Sequence, residues 1–111
     1  MTDPQTIKTE MLKIILSDNE LLDMVKDIQT LKSDPDASIM VFNKRQHMCK
    51  RSFVNVGRDM VKGDSGYMRR LLTNMAISRL FNRLKDKYGE DPELKSYTEN
   101  YFPEILYELG R

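Results

Sequence analysis

The 111-residue chain has one cysteine, one histidine and no tryptophan. One cysteine cannot close an internal disulfide, so the chain reads as a protein of a reducing compartment: cytosolic, nuclear, or the interior of a virus-infected cell. No apolar run approaches the roughly 20 residues that a membrane-spanning helix needs. The opening "MTDPQTIKTE" is polar and acidic where a secretory signal would be basic and then apolar. A terminal lipidation motif is absent as well. With five glycines and four prolines, the chain is neither a low-complexity tract nor a fibrous repeat. What remains is ordinary globular composition, 40% apolar and 32% charged, enough for one modest core in one domain spanning residues 1–111.

The shortage of histidine and cysteine also limits the chemistry. A structural zinc needs about four ligands, whereas His47 and Cys49 stand alone and fall about 160° apart on a helix. Cys49 lies on an apolar face and reads as a small core residue. "GDSG" at 63–66 matches a fragment found around the nucleophile of chymotrypsin-like proteases. Those enzymes require a histidine base, an orienting aspartate and two β-barrels, none of which this pattern offers. A helix cap explains the same four residues. Gly57 and Gly63 are separated by five residues and followed by Asp64, so they do not form a P-loop. The carboxylates of "DPD" and "GEDPE" sit at caps and turns, with no partner placed to tune them. No pair of groups takes acid and base roles, so no enzyme is expected, and neither is a cofactor or metal.

Apolar spacing predicts an all-α fold, a compact bundle of five to six helices with a long central helix. Asp3-Pro4 opens the first helix, with Ile7, Met11, Ile14 and Ile15 on one side. "SDNE" at 17–20 reads as a capping box from Ser17 to Glu20, ahead of a helix over 18–32 carrying Leu21, Met24, Val25, Ile28 and Leu31. Residues 33–38 form an internal linker around Pro35. "SIMVF" and "SFVNV" have the composition of strands, but strand alternation does not separate their faces. On a helical wheel Ile39, Phe42, Cys49, Phe53, Val56 and Met60 converge, which predicts a broken or bent helix over 38–62. A long helix over 66–88 buries Met68, Leu71, Leu72 and Met75, then turns its apolar side to Ile77, Phe81, Leu84 and Tyr88. Gly89 ends it. Asp91-Pro92 restarts a short helix to about 100, and Pro103 starts a last turn or two.

The charge layout is the most informative feature. Residues 1–36 are net −4, residues 44–87 net +9 and residues 90–111 net −4. Two basic stripes emerge in the middle. Lys44, Arg51, Arg58 and Lys62 share one helix face, with Lys50 beside it. Arg79, Arg83 and Lys87 recur four residues apart, with Arg69 and Arg70 a few turns earlier. Such a surface suits the backbone of DNA or RNA, where each neutralised phosphate releases a counterion. The expected phosphate-gripping set is therefore Lys44, Lys50, Arg51, Arg58, Lys62, Arg69, Arg70, Arg79, Arg83 and Lys87. A second account fits the same partition. The acidic ends could pack over the basic middle, within the chain or between subunits, and the protein would then be an interaction or assembly module. Tyr97, Tyr101, Phe102 and Tyr107 near the end of the chain would serve such an interface, or close the core.

Overall fold

The computed structural model describes residues 3–45 and 66–110, and among these it contains helices and turns but no strand. Five α-helices form the bundle: α1 (Pro4–Ser17), α2 (Asn19–Ser33), α3 (Ser38–Arg45), α4 (Tyr67–Tyr88) and α5 (Pro92–Leu109). The expected all-helical class is present. The part of the 38–62 segment that is described, Ser38–Arg45, is helical. The remainder of that segment lies outside the described residues, as do His47, Cys49 and most of "GDSG".

Each helix starts where a cap or proline directs it. Asp3 has extended backbone and Pro4 occupies the first helical position, where a missing N–H costs nothing. Ile7, Met11 and Ile15 are fully buried at intervals of four. The junction to α2 is the single residue Asp18, whose carboxylate accepts the Leu21 N–H at 3.1 Å. The cap therefore falls one residue later than the Ser17 expected from "SDNE". Ser17 still belongs to the last turn of α1, where its hydroxyl donates to the Ile14 carbonyl at 3.2 Å. Asp18 is the residue with extended backbone, as an N-cap requires.

The 33–38 linker is itself ordered as a 3-10 turn, Pro35–Ala37. The Asp34 carboxylate accepts the Asp36 N–H at one end, and the Ser38 hydroxyl donates to the Pro35 carbonyl at the other. α3 then buries Val41 and Phe42.

α4 is the central helix, packed against α1, α2, α3 and α5. Its buried residues are Met68, Leu72, Ala76, Leu80 and Leu84, a continuous run at intervals of four. Such a row winds about 40° around the axis at each step, because a helical turn is 3.6 residues rather than four. The apolar side thus rotates gradually along α4 and meets different neighbours at its two ends. Ile77, Phe81 and Tyr88, expected to carry the second half, are half-buried flanks of that row. Gly89 ends the helix at φ +77°, a conformation that side-chain-bearing residues rarely adopt.

α5 differs from expectation. The chain does not break near residue 100 but runs as one helix from Pro92 to Leu109 with Pro103 inside it. Phe102 and Ile105, on either side of the proline, are both buried. Their packing holds the helical path through a residue that cannot donate to the carbonyl four positions earlier. The Gln29 side chain donates to the Leu106 carbonyl and ties the end of α5 to α2.

Candidate functional site

The basic face of α4 does not project freely into solvent. α1 lies antiparallel to it, so carboxylates of α1 and the α1–α2 joint meet its cations in register. Arg79 donates to both oxygens of Asp18, from Nε at 2.9 Å and Nη2 at 3.2 Å, the two-pronged geometry that suits guanidinium and carboxylate. Its Nη1 is 3.4 Å from Glu20. One turn on, Arg83 Nη2 is 3.2 Å from the same Asp18 carboxylate, and one turn further Lys87 Nζ is 2.8 Å from Glu10.

Asp18 is the hub, capping α2 while holding two arginines. Its side chain is 8% exposed. Burial pushes the Asp18 carboxyl up, but the hydrogen bond from Arg79, the Leu21 N–H and the charges of Arg79 and Arg83 outweigh it. The net effect is a carboxyl held below its ordinary value. Lys87 is raised, chiefly by its hydrogen bond to Glu10.

A second knot joins α2 to α3. Asp23 and Asp27 stand one turn apart on α2 and face the consecutive cations Lys44 and Arg45. Arg45 donates from Nε to Asp27 and from Nη2 to Asp23, each at 2.8 Å. Lys44 Nζ lies 3.2 Å from carboxylate oxygens of both aspartates. The Arg45 side chain is fully buried, and its Nη1 has no hydrogen-bond partner. Two cations against two carboxylates leave the knot electrically balanced. That balance lets it persist in a medium where one unpaired charge would be prohibitive.

The ten residues expected to hold phosphates therefore separate into groups. Lys44, Arg79, Arg83 and Lys87 stand against carboxylates. Arg69 and Arg70 are exposed in the first turn of α4, which contains no acidic residue. Lys50, Arg51, Arg58 and Lys62 lie outside the described residues.

The basic stripes read from the sequence do not include Arg45, and they assign no role to Asp18, Asp23 or Asp27. The four-residue spacing of Asp23 and Asp27, opposite an adjacent basic pair, was the available signal. Nothing in the order of residues says that α3 folds back onto α2.

Among the described residues no group of three or more His, Cys, Asp or Glu side chains could hold a metal ion. No described helix is long and apolar enough to cross a membrane. The cation–carboxylate contacts are suited to fixing helices against one another rather than to moving protons. No protein-family model, curated protein or solved structure matches this chain.

Proposed function

We propose that this chain is a protein–protein interaction or assembly module, a small helical platform without a catalytic step of its own. The observation that carries the reading is the internal occupation of the basic residues. Lys44, Arg79, Arg83 and Lys87 each have a carboxylate between 2.8 and 3.4 Å away. A phosphate bound at any of them has to displace a carboxylate already in place and leave that carboxylate unpaired. Polyanion binding is driven by release of the counterions condensed on the nucleic acid, and a cation that its own chain has neutralised is poorly placed to replace them. The described residues carry 13 basic and 15 acidic side chains, a net charge of −2. The chain as a whole has a net charge of only +1, too little to steer it towards a polyanion at long range.

The second reading is a nucleic-acid grip built from Arg69, Arg70, Lys50, Arg51, Arg58 and Lys62. It is favoured by the first turn of α4, where two arginines occur with no acidic residue.

Fluorescence anisotropy of labelled single- and double-stranded DNA and RNA, at low and physiological salt, separates the two. The module reading expects no salt-steep binding, and light scattering then reports whether the chain self-associates. Binding that falls steeply with salt and is lost on Arg69→Glu with Arg70→Glu would establish the second reading in its place.

A further inference from the structure

α4 is packed against α1, α2, α3 and α5, yet one stripe of it reaches solvent. Asn74, Ser78 and Asn82 follow at intervals of four and are all exposed. Each is a weaker helix former than the lysine or glutamate that suits an open helix face. Among the described residues no hydrogen bond engages their side chains. Towards α2 the stripe borders a groove of 540 Å³ with Met75 in its lining, and towards α5 a groove of 280 Å³ with Ile77 and Phe81. These three side chains are half-buried, so each keeps apolar surface in water after the bundle has formed.

The stripe is its own complement. Ser78 is central, with Asn74 one turn before it and Asn82 one turn after. When a second α4 is laid antiparallel, with the two-fold axis at Ser78, Asn74 of each copy meets Asn82 of the other. A carboxamide both donates and accepts, so two of them can exchange a pair of hydrogen bonds. Ser78 is short enough to let the helices approach closely where they cross.

Charge follows the same symmetry. α5 turns back along α4 after Gly89, and Lys95 and Glu99 line the α4–α5 groove together with Asn74 and Ser78. Because the two helices run in opposite directions, Lys95 sits toward the Asn82 end and Glu99 toward the Asn74 end. Both are exposed, and among the described residues neither is held in an ion pair. The two-fold rotation keeps α5 on the same side and exchanges the ends. It therefore brings Lys95 of each copy to Glu99 of the other. An isologous interface demands this reciprocity, with one residue on a second and the second on the first. A face that matches its own rotated copy in both hydrogen bonding and charge points to a second copy as its occupant.

We propose that this face of α4, with the α4–α5 groove beside it, is a self-association surface, occupied by a second copy of the chain in an antiparallel two-fold arrangement centred on Ser78. Ile77 and Phe81 of each copy supply apolar area, while the Asn74–Asn82 and Lys95–Glu99 pairs set the register. The inference rests on the assembly-module reading and names the partner for it.

The test measures the mass of the full chain by sedimentation equilibrium over a range of concentrations. A monomer–dimer equilibrium is expected. Ser78→Arg places two like charges at the two-fold axis and should weaken the dimer by about tenfold or more. Lys95→Glu leaves two acidic residues in the groove and Glu99→Lys leaves two basic ones, so each variant alone should weaken the dimer by a similar factor. An equimolar mixture of these two should dimerise about as tightly as the parent, because acidic and basic copies then face each other. All three positions are exposed, so the variants should keep the helical circular dichroism of the parent.

A monomer at every concentration, a dimer indifferent to Ser78→Arg, or a mixture no tighter than its components would overturn the proposal. A monomer that also lacks salt-steep oligonucleotide binding would leave the module reading standing with a partner of another kind. Salt-steep oligonucleotide binding would instead remove the module reading itself, whether or not the dimer forms.

Discussion

Arg79 and Asp18 are 61 residues apart in sequence, yet two hydrogen bonds, at 2.9 and 3.2 Å, join them in the fold. The pair ties the centre of α4 to the single residue between α1 and α2. It therefore fixes three helices through one carboxylate, and it shows where part of the basic excess among the described residues is directed.

That contact makes stability depend on acid in a defined way. The Asp18 carboxyl is held below its ordinary value in the folded protein. The unfolded chain therefore binds a proton more readily. The contribution of Asp18 is full above the ordinary carboxylate pKa of about 3.9 and is lost as pH falls through the lower folded value. Asp18→Asn keeps a capping oxygen for Leu21 but removes the charge. The variant should be less stable than the parent at neutral pH, and the two should converge at the acid end. Urea midpoints from pH 7 to pH 2 check this, and a constant gap across the range would be inconsistent with it.

The α2–α3 knot should behave as a buried ion pair. Asp27→Ala leaves the Arg45 guanidinium facing Asp23 alone, and removing one partner of such a pair typically costs about 3–5 kcal/mol. Arg45→Met with Asp27→Leu removes both charges and replaces them with apolar volume, so most of that loss should be recovered. Chemical denaturation of the single and double variants measures the coupling. Additive losses would mean that the two residues are energetically independent.

Exposed and buried members of α4 should differ sharply. Lys87→Ala removes a half-exposed lysine from a largely buried Glu10, and should lower the melting temperature by much less than loss of a core side chain. Leu84→Ala, four positions from Leu80 in the buried row, should cost about 2–5 kcal/mol. Thermal melts of the two variants, with the first repeated in high salt, are sufficient.

Pro103 is the residue against which α5 folds. Pro103→Ala restores an N–H to the helix interior and should raise stability, by up to about 3 kcal/mol. An unchanged or lower melting temperature would mean that the proline's shape contributes to the α1–α5 contact.

Helix positions were legible in the sequence wherever the apolar interval was strict. Ile7, Met11 and Ile15, the α2 stripe and the extent of α4 followed from spacing, and Asp3-Pro4 and Gly89 marked ends through their own backbone preferences. Pro103 misled because a proline's local bias is outweighed when its neighbours, Phe102 and Ile105, are buried in the core. The Ser17 cap misled because two adjacent residues can both accept a hydrogen bond, and only the chain path decides which is extended. The charge partition was visible, but its destination was not. Whether a basic stripe meets phosphate or carboxylate depends on which helix lies across from it, and that is a property of tertiary packing.

The most direct test of the account compares oligonucleotide binding by the parent chain with that of Glu10→Gln/Glu20→Gln, which releases Lys87 and part of the hold on Arg79 while leaving the Asp18 hub intact. Anisotropy titrations at two salt concentrations should show negligible binding by the parent and a new, salt-sensitive affinity in the variant. Tight, salt-steep binding by the parent, unchanged in the variant, would contradict the claim that occupation of Lys44, Arg79, Arg83 and Lys87 by the chain's own carboxylates keeps it from nucleic acid.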